Sequence, residues 1–196
     1  MANRFLSYLL QATLLVGLIT GCKTETDKVI TPEPVSTAPE ADGSGVTATS
    51  STTATVTFST QQLELLGYIN NLRSKPCQCG TTTYPAAAPL QLNALLNEAS
   101  RKHAADMANY NYFSHTGRDG SKPWDRMSRE GYVWRYAGEN IAAGNATVLA
   151  TFNQWRNSPG HCANMMSANF KEVGLGYAYS AASTYKHYWV TDFGTR

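Results

Sequence analysis

The strongest constraint on this chain is a stretch that cannot build a core. Residues 23–58 hold ten Thr, four Ser and three Pro and almost no large apolar side chains. Such a segment buries too little apolar surface to offset the entropy of ordering it. A fold is therefore required only of residues 59–196, about 138 of the 196. That length suits one well-packed domain and is short for two, which excludes a large multidomain enzyme. Charge divides at the same boundary. The formal +2 combines Arg4, an acidic linker with Lys23 and Lys28 against Glu25, Asp27, Glu33, Glu40 and Asp42, and a domain with 13 basic and 9 acidic residues. No basic run accompanies that excess, so a nucleic-acid partner is not expected.

The amino terminus reads as an address. Arg4 is followed by an apolar stretch from Phe5 to Ile19, interrupted by Ser7, Tyr8, Gln11 and Thr13. It is too short and too polar for a spanning helix, which needs about 20 mostly apolar residues. Residues 1–21 are read as a signal peptide. Ile19-Thr20-Gly21-Cys22 resembles the lipobox of bacterial lipoproteins, which implies that Cys22 is acylated and becomes the new amino terminus. An ordinary secretory signal with a coincidental Cys is the alternative. Residues 22–58 would then tether the domain to a membrane through lipid on Cys22, spanning roughly 33 Å r.m.s. as a flexible chain. The expected location is extracytoplasmic, on the periplasmic face or at the cell surface.

Within residues 59–196 the apolar period is first helical and then strand-like. Ser59 with Gln62 forms a capping box before an apolar stripe of Leu63, Leu66, Ile69 and Leu72, with Leu65 and Tyr68, that ends before Pro76. A loop from Cys77 to Pro89 leads to Asn93, an N-cap for a longer helix marked by Leu92, Leu95, Leu96, Ala99, His103 and Met107. Lys122 to Glu130 predicts a short third helix, and Thr147 caps a fourth carrying Val148, Phe152 and Trp155. Ser158-Pro159 ends that helix and starts another, with Pro at the favoured first position. Glu172 to Tyr179 and Tyr185 to Phe193 are rich in aromatic and β-branched residues, are separated by small residues, and predict a hairpin. Helices followed by an antiparallel pair give an α+β class.

Three stretches carry chemistry: NYFSHTGRDG with His115, YAGENIAAG with Glu139, and NSPGHCANMM with His161. Gly138-Glu139-Asn140 and Ser158-Pro159-Gly160-His161, with Ala163-Asn164-Met165, follow Ser114-His115 in an order that resembles the bacterial branch of the CAP (SCP-like) superfamily. That superfamily includes cysteine-rich secretory proteins, venom allergens and plant pathogenesis-related proteins. The resemblance runs from about Leu63 to Phe193. It implies an α-β-α sandwich with a small antiparallel sheet between helical layers, to which Gly138–Ile141 adds a strand. It also implies a central cleft assembled from His115, Glu139 and His161. Two neutral imidazoles are good ligands for Zn²⁺ or another divalent ion, and a carboxylate can orient one of them or a bound water. His115 and His161 are thus candidate metal ligands, although no cofactor is required by the sequence. Animal and plant members carry a second Glu a few residues after the position of Trp155, where this chain has Arg156-Asn157-Ser158. Glu172 is the other acidic candidate for the cleft.

Once Cys22 is acylated, Cys77, Cys79 and Cys162 remain, and one bridge leaves one sulfur over. By resemblance the bridge is Cys79 to Cys162, beside His161, with Cys77 as the alternative partner. His103 and His187 are read as packing or surface residues. The aromatics Tyr132, Trp134, Tyr136, Tyr185, Tyr188 and Trp189 either line a groove or fill the core, the second being expected of so small a sheet.

These residues leave three functional readings. The first is a non-enzymatic binding module for a small apolar or lipid ligand such as a sterol, a metal ion or an envelope component. The second is a metal-assisted hydrolase with Glu139 as general base, and the third is a structural or partner-binding protein.

Overall fold

The computed structural model describes residues 57–196. Cys22, the signal peptide read at residues 1–21 and nearly all of the tether lie outside the described residues. Among the described residues, no helix is long and apolar enough to cross a membrane.

The five expected helices form, and their starts show why. Helix α1, Thr60–Arg73, opens on the capping box: the Gln62 amide donates to Ser59 Oγ and the Ser59 amide to Gln62 Oε1, at 3.3 and 2.8 Å. Its core face is Leu65, Ile69 and Leu72. Leu63, expected in the stripe, is exposed at the first turn. Asn93 caps α2, Ala94–Tyr110, by accepting from the amides of Leu95 and Leu96. The helix stops at Asn111, whose left-handed φ of 52° breaks the α path. In α3, Pro123–Arg129, Asp125 accepts from the Lys122 amide at the positive end of the helix. Thr147 Oγ1 accepts from the Ala150 amide to start α4, Val148–Asn157. Helix α5, Pro159–Met166, begins at Ser158, whose extended backbone accepts from the Cys162 amide while its hydroxyl makes no cap bond.

The strands hold two departures. Residues read as a loop contain a two-stranded ribbon, β1 (Cys77–Cys79) and β2 (Thr82–Tyr84). Leu92, read as part of the second helix, belongs with Gln91 to a short β3 pairing in parallel with the strand Glu172–Tyr179. The segment through Gly138-Glu139-Asn140 is β4, Tyr136–Ala143; β5 is Glu172–Tyr179 and β6 is His187–Thr195. The main sheet runs β3-β5-β6-β4, so β4 lies at an edge, and its pairings other than β3 with β5 are antiparallel.

Helix α2, with α3 against it, covers one face of this sheet, and α1, α4 and α5 pack together on the other. The α-β-α sandwich expected from the resemblance is the observed architecture. The α1/α4/α5 face holds the larger core, with Trp155, Phe152, Met165, Phe193 and Trp189. Buried Arg73 locks this layer, donating to the carbonyls of Ala88, Met165, Ser167 and Phe170. It thereby fixes the C-terminal end of α5, where helix carbonyls lack intrahelical partners.

Candidate functional site

The site is assembled across the free edge of β4. Glu139 stands in that strand opposite Asp192 of β6, on the face covered by α2. The chain leaving α2 at Asn111 delivers His115. Two contacts hold that loop: His103 Nε2 donates to the Ser114 carbonyl at 2.9 Å, and Arg126 Nη1 donates to the carbonyls of His115 and Ser121 at 3.0 and 3.1 Å. His115 Nδ1 then meets Glu139 Oε1 at 2.6 Å, while Arg126 Nη2 meets Glu139 Oε2 at 2.6 Å. The Glu139 side chain is 1% exposed and that of His115 is 51% exposed, so a buried carboxylate presents a half-open imidazole.

Asp192 lies beneath this pair and is wholly buried. Ser100 Oγ donates to its Oδ2 at 2.9 Å and accepts from its amide at 3.2 Å. Burial first, and then the Glu139 charge, push the Asp192 carboxyl well above the usual carboxylate range. Facing like charges across a ladder destabilise it, and a carboxyl raised in this way favours the neutral form of Asp192, which lessens the repulsion.

His161 enters from the opposite layer. Asn140 Nδ2 donates to its carbonyl at 3.1 Å, and Asn164 Nδ2 donates to Asn140 Oδ1 and to the Glu139 carbonyl at 2.9 and 3.2 Å. These two Asn side chains fasten the start of α5 to β4. Burial chiefly, and then the charge of nearby His115, hold the His161 imidazole below its ordinary value. Its Nδ1 is buried with no hydrogen-bond partner.

These donors fit a divalent metal held by two histidines. With His115 Nδ1–H donating to Glu139, the lone pair of that ring sits on Nε2, the tautomer that a carboxylate normally enforces on a metal-binding imidazole. The orphaned nitrogen of neutral His161 is a second donor. Among the described residues, His115, Glu139 and His161 do not close into a set of three ligand atoms within 4.8 Å of one another, so water or ligand atoms would complete the coordination.

Residues 66–193 match the family model described as the cysteine-rich secretory protein family, CAP. The chain belongs to the CAP family. Among its relatives, Bacillus subtilis YkwD, named an uncharacterized protein, is 37% identical over 94 residues, 48% of this chain and 37% of YkwD. The uncharacterized membrane protein YlbC of the same organism is 33% identical over 90 residues, 45% of this chain and 26% of YlbC. The matched segments thus span well under half the length of either relative. An extracellular SCP-domain protein of Bacillus anthracis superposes with a TM-score of 0.56 at 25% identity, covering 69% of this chain and 40% of that one. An outer surface protein of Borrelia burgdorferi shares the fold, with a TM-score of 0.57 at 19% identity over 68% of this chain and 91% of that one. The chain is thus a CAP-domain protein whose solved structural relatives include an extracellular protein and an outer surface protein of bacteria.

Within the CAP domain, the other candidates fall elsewhere. Glu172 does not join the histidines: it accepts from Asn93, Tyr132 and Arg196, bonds that tie the start of β5 to its surroundings. His187 Nδ1 hydrogen-bonds the Tyr177 hydroxyl at 2.9 Å, and its ring stacks on that of Tyr177. Tyr132, Tyr188 and Trp189 are buried, whereas Trp134, Tyr136 and Tyr185 are exposed. A cavity of about 390 Å³ with an apolar floor of Leu65, Leu175, Tyr177 and Trp189 opens between the N-terminal ends of α1 and α2. The Cys79–Cys162 bridge forms, with a Cα–Cα distance of 5.5 Å, and Cys77 is buried beside it.

Arg126 and Asp192 are site residues the motif search missed. Asp192 had a legible signal, because Tyr188, Val190 and Asp192 occupy one face of β6 and the first two are core residues. An acid in an apolar row is buried. Arg126, in a short amphipathic helix beside Met127, had none beyond its position.

Buried His103 and half-buried His161 make stability pH-dependent. Burial lowers both His103 and His161 relative to the ordinary value near 6.5. As pH falls below about 6.5 the unfolded chain therefore binds protons that the folded chain refuses, and stability falls. Asp192, raised in the fold, acts in the opposite sense and offsets one of the two histidines. Melting temperature should decrease from pH 7 to pH 5, with a shallower decrease in His161→Gln. A flat or rising profile in the parent chain would contradict this assignment.

Proposed function

We propose that the chain is a lipid-anchored, extracytoplasmic binding module rather than an enzyme, and that its cleft holds a divalent metal such as Zn²⁺ through His115 and His161. One observation carries the reading: both oxygens of buried Glu139 are engaged, one by His115 Nδ1 and the other by Arg126, each at 2.6 Å. A carboxylate held between a guanidinium and an imidazole orients the imidazole, and at 1% exposure it has little contact with water. That argues against Glu139 as the general base the hydrolase reading requires. When bound, the ion would offer a Lewis-acidic position to a ligand oxygen or nitrogen. Arg126 would fix the carboxylate, Glu139 would hold the His115 proton on Nδ1, and Asn140 and Asn164 would set the position of His161. The cavity floored by Leu175 and Trp189 is the place suited to a small apolar or lipid ligand, which commonly occupies sites of roughly 300–1,000 Å³.

The test is metal analysis with calorimetric zinc titration of the purified domain. Stoichiometric binding is expected, with loss in His115→Ala and in His161→Ala and a drop of about 10–100-fold in affinity in Glu139→Gln. Absence of binding in the parent chain, or binding indifferent to both His substitutions, would overturn the proposal.

A further inference from the structure

Helix α2, the loop of residues 117–121 and α3 line a second cavity, of about 810 Å³, within the size range of small-molecule sites. His115, Glu139 and His161 are not among its lining residues. Its floor is polar and buried, with His103, Ser121 and Arg126 only 2%, 5% and 8% exposed. Arg126 Nε is buried without a hydrogen-bond partner, so that floor holds an unmatched donor. Around it stand three cations, Lys102, Arg118 and Arg129, and three acids, Asp106, Asp119 and Glu130. A simple anion would meet the three carboxylates and a simple cation the three positive groups, so the balance suits a ligand carrying both charges. Two of the ion pairs are closed: Arg129 Nη1 meets Asp119 Oδ2 at 2.6 Å, and Lys102 Nζ meets Glu130 Oε2 at 2.8 Å. The third is open. Arg118 Nη1 and Asp106 Oδ1 stand 4.0 Å apart, beyond hydrogen-bond reach. Each is held by a tyrosine instead: the Arg118 guanidinium lies 3.5 Å from the Tyr110 ring centroid, and Asp106 Oδ2 accepts from the Tyr112 hydroxyl. Both groups are thus positioned, yet the guanidinium fork and Asp106 Oδ1 keep capacity for further bonds.

We infer that this cavity binds the zwitterionic end of an α-amino acid, with its carboxylate on Arg118 and its ammonium on Asp106. The nitrogen and the carboxyl carbon of such a group lie about 2.5 Å apart across one carbon, so a single ligand can engage both members of the open pair. The carboxylate accepts from the guanidinium fork as a charge-assisted pair, and the ammonium donates to Asp106 Oδ1. Four alternating charges then close a ring where the free protein has a gap. The ligand side chain extends over the floor of His103, Ser121 and Arg126, which favours a polar group bearing an acceptor.

Calorimetric titration of the full chain with serine, asparagine, glutamine and glutamate, each in its L and D forms, tests this. At least one should bind with a Kd of about 1 mM or tighter. N-acetylation of that amino acid removes the ammonium and methyl esterification removes the carboxylate; each should weaken binding by about tenfold or more. Arg118→Gln and Asp106→Asn should each cause a loss of similar size, whereas Lys102→Gln, in a closed pair, should change affinity by less than about threefold. The inference fails if no amino acid of the set binds, or if the acetylated or esterified form binds as well as its parent. It fails equally if Arg118→Gln and Asp106→Asn leave affinity unchanged, or if Lys102→Gln loses as much as they do. The acetyl and ester comparisons use the parent chain, so they decide alone should either variant not fold. All titrations contain EDTA, which keeps zinc at His115 and His161 out of the readout, so failure of either idea leaves the other standing.

Discussion

Gly174→Ala is expected to destabilise the domain by about 3 kcal/mol or more, the upper range for overpacking a rigid contact. A Cβ at this position would stand 2.0 Å from the Leu96 carbonyl carbon and 2.3 Å from the Asn97 nitrogen, both backbone atoms of α2. Backbone cannot rotate away as a side chain can, so either α2 lifts from the sheet or β5 bends. Gly176 repeats the contact one row along, 2.2 Å from the Ser100 carbonyl carbon. That second contact bears on the site, because Ser100 Oγ is the hydrogen-bond partner of Asp192. For a domain of this size the loss corresponds to a fall in melting temperature of roughly 10 °C. Gly67→Ala in α1 is the control: nothing lies within 4 Å of the added Cβ, and Ala in a helix interior should stabilise by about 0.5–1 kcal/mol. If thermal melts put Gly174→Ala within about 1 kcal/mol of the parent chain, below the usual cost of overpacking, α2 does not ride on the backbone of β5 as described.

What the sequence made legible and what it hid have physical reasons. Helix starts were legible because caps are local: Ser59, Asn93 and Thr147 each accept an amide hydrogen within the next three residues. The β5/β6 hairpin was legible from composition, although β6 begins at His187 rather than Tyr185, since Lys186 adopts a left-handed φ of 63° that extends the turn. The ribbon of β1 and β2 was not. Three-residue strands have too little pattern to show a period, and this one is fastened by a bridge from Cys79 to α5, 83 residues away. Gln91-Leu92 likewise becomes a strand only because the Lys171 carbonyl accepts from the Gln91 amide and the Val173 carbonyl from the Asn93 amide just after it. The pairing of His115 with Glu139 followed from motif order, by resemblance. Glu172 failed as a cleft residue because its surroundings include Tyr132 and Arg196, which claim its oxygens; that depends on separate elements meeting and leaves no trace in local spacing.

Removing Arg126 should have the largest effect at the site itself. Arg126→Met leaves Glu139 with a buried carboxylate facing Asp192 and without its counter-charge, and breaking such a pair from one side costs about 3–5 kcal/mol. The same substitution frees the carbonyls of His115 and Ser121, loosening the loop that presents the imidazole. The two losses can be separated with a second change. Glu139→Gln in the Arg126→Met background removes the stranded charge, so it should recover the electrostatic share while leaving a deficit of about 1 kcal/mol or more for the lost carbonyl bonds. The cycle therefore predicts strong non-additivity: the double variant is more stable than Arg126→Met alone. Chemical denaturation of the four chains measures it. Simple addition of the two single-variant losses would mean that Glu139 does not depend on Arg126 for its charge, and the account of how this carboxylate is held in place to orient His115 would have to be abandoned.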